Sequence, residues 1–103
     1  MDAAVVAGVA MTAFGKFRDA GMRSLAGEAA LAAVADAGMS AQDVGMVFFG
    51  NAAAGLITGQ EMIRGQVALR DTPLHGLPIV NVENACASSS TAAHLAVMAV
   101  ASG

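Results

Sequence analysis

Ile79-Val80-Asn81-Val82-Glu83-Asn84-Ala85-Cys86-Ala87-Ser88-Ser89-Ser90-Thr91 opens as a β-branched run and ends in small residues that lead into a long apolar stretch. The first four residues read as a strand. From about Cys86 the chain turns helical and continues to Ser102, with Gly103 as its stop. Working back, Pro73, Gly76 and Pro78 force a loop. Gly59 to Arg70 places Met62, Ile63, Gln66, Val67 and Arg70 at helical offsets, although Gly65 costs about 1 kcal/mol against Ala in a helix interior. Ala52 to Thr58 is small and glycine-punctuated, which predicts a loop. Val44 to Phe49 reads as a buried strand closed by Gly50-Asn51. Ser40-Ala41-Gln42-Asp43 has capping-box spacing over one helical turn. Ser24 is placed to cap a helix running through Ala37, and Gly38 to end it. Met11 to Met22 reads as loop. Ala3 to Ala10 is a valine-rich run suited to a strand buried on both faces. The order strand–helix, three times over, argues for an α/β fold with a parallel or mixed sheet and crossover helices.

Composition narrows the function classes. The chain has 103 residues, 56% apolar and 13% charged, about half the usual charged share of a soluble domain. That much apolar surface excludes disorder, and a single cysteine excludes a disulfide scaffold. Five basic residues against eight acidic ones give a net charge of −3, which leaves no basic face for nucleic acid. The last helix is apolar all round, from Ala92 through Leu95, Val97, Met98 and Val100 to Ala101, so it needs cover on every side. Three short strands and two alanine-rich helices do not supply it, and the expectation is a covering segment outside this sequence. A membrane span is not expected, because Ala92 to Ala101 is too short. Met1-Asp2-Ala3 is acidic, unlike the start of a signal peptide. A lone cysteine suits a reducing compartment, and the expected location is the cytoplasm.

Chemistry concentrates between the third strand and the last helix. Cys86 is the only thiol, and it stands at or just before a helix start, where the macrodipole favours an anion. Small neighbours allow a substrate to approach, and unpaired N–H groups at the helix start suit an oxyanion. A strand–turn–helix that displays a nucleophile is a known device for acyl transfer. The competing reading makes Cys86 a small buried hydrophobe and the serines simple helix caps. Neither histidine serves as its base. His94 is eight positions further on, roughly 12 Å along a helix axis, and His75 precedes the strand whose far end leads to Cys86. No metal-ligand spacing is present, so no metal is expected. Glu83 and Asn84 are expected to shape the turn.

The stretch from Val80 to Ala92 resembles the nucleophile segment of thiolases, most nearly the sterol-carrier-protein-x type and related bacterial acetyl-CoA acetyltransferases. Three further stretches agree in order: VVAGVAMTAFGKF, SLAGEAALAAVADAGM followed by VGMVFFGNA, and GQEMIRGQVALR. The resemblance spans nearly the whole chain. It implies a thiolase-like fold of two similar α/β halves with central helices sandwiched between sheets. Residues 1–103 would be most of the first half, truncated before its end.

By that resemblance the protein is an acyl-CoA C-acyltransferase in which Cys86 forms an acyl-enzyme thioester, in 3-ketoacyl-CoA cleavage or Claisen condensation. Coenzyme A is its substrate, with no permanently bound cofactor. Ala87, Ser88 and Asn84 would support the oxyanion or the turn, and Gln60 and Arg64 would belong to assembly. The implied partners are a second copy of the chain, the missing half with its histidine and second cysteine, and an OB-fold protein. The isolated segment is expected to be inactive. Ser89 departs from the thiolase pattern, which has glycine shortly after Ser88, and the ASSS run resembles ketosynthases. A ketosynthase-like or thiolase-like aldolase protein, or a non-catalytic assembly fragment, therefore stand as alternatives.

Overall fold

The computed structural model describes residues 3–103. Met1 and Asp2, on which part of the targeting argument rests, lie outside them. Helix α1 spans Met22–Asp36, strand β1 Val47–Gly50, helix α2 Ala54–Thr58, helix α3 Arg64–Leu69, strand β2 Ile79–Val82 and helix α4 Ser88–Ser102; a 3-10 turn covers Ala41–Asp43.

The strands β1 and β2 are parallel, with Val47 opposite Ile79 and Gly50 opposite Val82. The ladder is prolonged at both ends, where Val47 N–H donates to the Pro78 carbonyl at 2.9 Å and Asn51 N–H to the Val82 carbonyl at 3.1 Å. Alternation along a strand sends neighbouring side chains to opposite faces. Phe49 and Ile79 face α3, where both press on Gly65, whereas Gly50 faces the start of α4. Helices α3 and α4 therefore cover opposite faces, and α1 packs outside α3. The core gathers around Ala68, Leu69 and Leu74, with Met22, Ala26, Ala30, Val47, Phe49 and Ile79 packed on it.

Helix α1 ends as its sequence predicts. Gly38 takes φ +68, Met39 N–H reaches the Val34 carbonyl at 3.2 Å and Gly38 N–H the Ala35 carbonyl at 2.9 Å. This is a Schellman closure. Its start differs from expectation. Gly21 is the N-cap, and Ser24, three residues inside, donates its hydroxyl to the Gly21 carbonyl at 3.0 Å. The Ser40–Asp43 turn forms as read, with the Asp43 carboxylate accepting the Ser40 N–H at 2.9 Å.

Four other boundaries move. The Ala3 to Ala10 run is not in a strand: no ladder partner reaches it among the described residues, and Val5, Val6 and Val9 are exposed. Its ties run to α1 instead, where Val9 N–H donates to an Asp36 carboxylate oxygen at 2.9 Å. The second strand starts at Val47 rather than Val44 because only residues from 47 onward meet β2. The Ala52 to Thr58 loop contains α2, whose first N–H, that of Ala54, donates to Asn51 Oδ1 at 2.9 Å. The Gly59 to Arg70 helix is cut to α3, because Ile63 takes φ 42 and only Arg64–Leu69 is helical.

Helix α4 rests on β1 and β2, burying Ser88 and Ala92 and leaving Val97, Met98 and Val100 exposed. With its lead-in, Ala85–Ser102 is 18 residues at mean hydropathy 1.2, long and apolar enough to cross a bilayer by length and composition alone, a test that core helices of soluble proteins also pass. The 15-residue helix itself extends about 22 Å, short of a hydrocarbon core of about 30 Å.

Candidate active site

Parallel strands bring their carboxyl ends to one edge, and loops leaving that edge carry the chemistry of open α/β sheets. Here the edge is formed by Gly50-Asn51 and Val82-Glu83. The chain leaves β2 through Glu83–Ala87 and enters α4 at Ser88. Cys86 lies in that turn and is exposed, with a free thiol. Within this chain it is not the buried packing residue of the competing reading.

The turn is held by its own side chains. Ala85 takes φ 46, a left-handed conformation that alanine seldom adopts. Its N–H donates to Glu83 Oε2 at 2.6 Å. Its carbonyl accepts the Ser88 hydroxyl at 2.7 Å and the Ser88 N–H at 3.2 Å. Ser88, only 5% exposed, also accepts the Asn84 N–H on its hydroxyl at 2.9 Å. Asn84 in turn donates its amide to Thr91 Oγ1 at 3.0 Å, and Thr91 is tied to the Ala87 carbonyl at 2.9 Å. Glu83, Asn84 and Ser88 thus hold the turn.

The N–H groups of Ala87 and Ser88 are not left open for an oxyanion. Ala87 N–H donates to the Asn84 carbonyl at 2.9 Å and Ser88 N–H to that of Ala85. The turn closes on itself and consumes them.

Gln60 and Arg64 both donate to carbonyls of their own chain. Arg64 Nη1 donates to the Asn51 carbonyl at 2.9 Å, and its Nε to the carbonyls of Gln60 at 3.1 Å and Glu61 at 3.2 Å. Gln60 Nε2 donates to the Met62 carbonyl at 2.6 Å. Arg64 therefore fastens the loop after β1 to the start of α3. It lines, with Asn51, Glu61, Asn81 and Glu83, an open cleft of about 230 Å³ at the carboxyl edge of the sheet. Cys86 is not among the residues lining that cleft. His75 sits in the loop before β2 and His94 on α4; both are exposed, and among the described residues neither is hydrogen-bonded to Cys86.

Two residues that the sequence reading passed over organise the neighbourhood. Asn51 accepts the first N–H of α2 on its side chain and the Arg64 guanidinium on its carbonyl. Asn81 reaches from β2 to the start of α3, accepting the Gly65 N–H at 2.6 Å and donating to Gln66 Oε1 at 2.7 Å. The signal for Asn81 was present as a polar residue interrupting an apolar strand.

The thiolase N-terminal domain family matches residues 4–103, including every element described above.

The chain belongs to the thiolase family. It is 41% identical over 102 residues to an acetyl-CoA acetyltransferase of Methanothermobacter thermautotrophicus, covering 99% of this chain and 26% of that protein. The same figures hold for an acetyl-CoA acetyltransferase of Methanocaldococcus jannaschii. A benzoylsuccinyl-CoA thiolase subunit, BbsB, of Thauera aromatica is 38% identical over 102 residues, covering 95% of this chain and 24% of that subunit. The chain thus spans about a quarter of the length of the curated relatives it matches. The partial α/β architecture, with a parallel pair and helices on both faces, is that of a thiolase N-terminal segment.

Proposed function

We propose that this chain is the nucleophile-bearing segment of a thiolase-type acyl-CoA C-acyltransferase, with Cys86 as the attacking group. One observation supports this most directly. The sole thiol is exposed in the turn between β2 and α4, within residues 4–103 that match the thiolase N-terminal domain.

In this reading the Cys86 thiolate adds to the thioester carbonyl carbon of an acyl-CoA. The carbon–sulfur bond to CoA breaks, and the CoA thiolate leaves and takes up a proton. In condensation the acyl group passes from Cys86 to the α-carbon of a second acyl-CoA, which gives up a proton as the carbon–carbon bond forms. In cleavage the Cys86 thiolate adds instead to the 3-keto carbon of a 3-ketoacyl-CoA, the C2–C3 bond breaks, the acetyl-CoA carbanion so released takes up a proton, and the acyl group passes from Cys86 to CoA sulfur. Both routes return the thiolate. Splitting the transfer through a covalent thioester replaces one difficult step by two easier ones. The groups that move protons to and from CoA and the α-carbon belong to residues outside 1–103. The segment alone is accordingly inactive, and the active protein is a cytoplasmic assembly of two or more copies.

The experiment is incubation of the complete polypeptide with acetyl-CoA, followed by peptide mass spectrometry. Acetyl on the Cys86 peptide and 3-ketoacyl-CoA turnover are expected. Turnover without acyl-Cys86 would point to the aldolase alternative, and condensation with carrier-bound substrates only would point to a ketosynthase.

A further inference from the structure

The residue immediately before Cys86 is held in a backbone region that favours glycine, and something must keep it there. Ala85 has φ 46. Its carbonyl is fixed by Ser88, through both hydroxyl and N–H. Its N–H is fixed by a single group, Glu83 Oε2, at 2.6 Å. Side-chain bonds of this kind let a chain hold a conformation that its intrinsic preferences oppose. Rotation at Ala85 redirects the next peptide and hence the Cα–Cβ bond of Cys86.

We propose that Glu83 is a positioning residue for the thiol: its carboxylate, by accepting the Ala85 N–H, locks Ala85 in the left-handed conformation that aims Cys86 at the acyl carbon. The assignment rests on the acyl-transfer reading above. It makes the bond, rather than the negative charge, the operative feature. Glutamine at 83 keeps an acceptor oxygen and suffices. Glycine at 85 reaches the same φ without strain and makes the acceptor dispensable. Misplacement of a reacting atom by about 1 Å costs up to roughly 100-fold in rate, so loss of the lock appears in the acylation step rather than in acyl-CoA binding.

The test uses the complete polypeptide carrying this segment, in four forms: unsubstituted, Glu83→Gln, Glu83→Ala, and Glu83→Ala with Ala85→Gly. Two rates are read for each, acylation of Cys86 by acetyl-CoA and alkylation of Cys86 by iodoacetamide. Glu83→Ala is expected to acylate at least about tenfold more slowly, with the acetyl-CoA concentration for half-maximal rate unchanged. Alkylation, which makes no geometric demand, stays within about twofold. Glu83→Gln and the double variant return to within about threefold of the unsubstituted rate. A purely structural role would move both rates together, and a charge role would leave Glu83→Gln slow and the double variant unrescued; either result overturns the assignment. Should Glu83→Ala not accumulate folded, the double variant decides. Acylation within about threefold supports the lock, and a greater loss overturns it. Absence of acylation in the unsubstituted protein overturns the acyl-transfer reading, whereas undiminished acylation in Glu83→Ala overturns this assignment alone.

Discussion

Gly50, the last residue of β1, lies so close to the first turn of α4 that a Cβ built on it would stand 2.9 Å from the backbone nitrogen of Ser89. It would also meet the Ser88 carbonyl carbon and oxygen at 3.0 Å. All three are backbone atoms and cannot swing aside. The packing that seats the start of α4 on the sheet, and with it the Cys86 turn, therefore requires a residue without a side chain. Gly50→Ala is expected to destabilise the protein by about 1–3 kcal/mol, the usual range for overpacking, and to slow Cys86 acylation. Denaturant midpoints and acylation rates check this, and an unchanged midpoint contradicts it.

Gly65 makes the same argument inside a helix. A Cβ there would lie 2.7 Å from Ile79 Cγ2 and 2.8 Å from Phe49 Cβ. Gly65 is the second residue of α3, where replacing glycine by alanine gains at most about 1 kcal/mol. Here overpacking of a buried position outweighs that gain, and Gly65→Ala is expected to lower stability by about 1–2 kcal/mol net. Gly45 is the control, because nothing lies within 4 Å of its Cβ position. Gly45→Ala is expected to be neutral or to stabilise by up to about 1 kcal/mol. Thermal or denaturant unfolding of the two variants side by side tests the contrast.

Arg64 spends its guanidinium on carbonyls of its own chain. Arg64→Ala is expected to destabilise by about 1–3 kcal/mol, the range for hydrogen bonds to a charged group. Arg64→Lys recovers only part, since one ammonium cannot reproduce the planar fork. The loss should be independent of protein concentration, which sedimentation and unfolding at two concentrations measure. A loss seen only as dissociation of subunits would instead support the assembly role that the resemblance implies.

Much of this was legible before any coordinates. Ile79-Val80-Asn81-Val82 between loop signals, Gly38 after an apolar helix, and the Cys86 stretch each carry a local physical cause, and each appears where expected. The misread parts depend on contacts that a linear pattern does not encode. The Ala3 to Ala10 run has strand composition, but a strand is defined by a neighbour, and no described residue supplies one. The helix expected over Gly59 to Arg70 satisfies the apolar offsets, yet Ile63 leaves the helical region and Arg64 folds back on the carbonyls before it. Gly65 looked like a liability because its compensation, the close approach of Phe49 and Ile79, lies elsewhere in the chain. The internal bonds of the Ala87 and Ser88 N–H groups escape a linear reading for a related reason: the turn that exposes the thiol closes on them.

The central claim is that Cys86 carries the acyl group. Brief mixing of the complete polypeptide with acetyl-CoA, acid quenching and peptide mass spectrometry measure this directly. Acetyl is expected on the peptide containing Cys86, released on addition of CoA, with neither label nor turnover in Cys86→Ala. Turnover persisting in Cys86→Ala, or acetyl found on another residue, would contradict it.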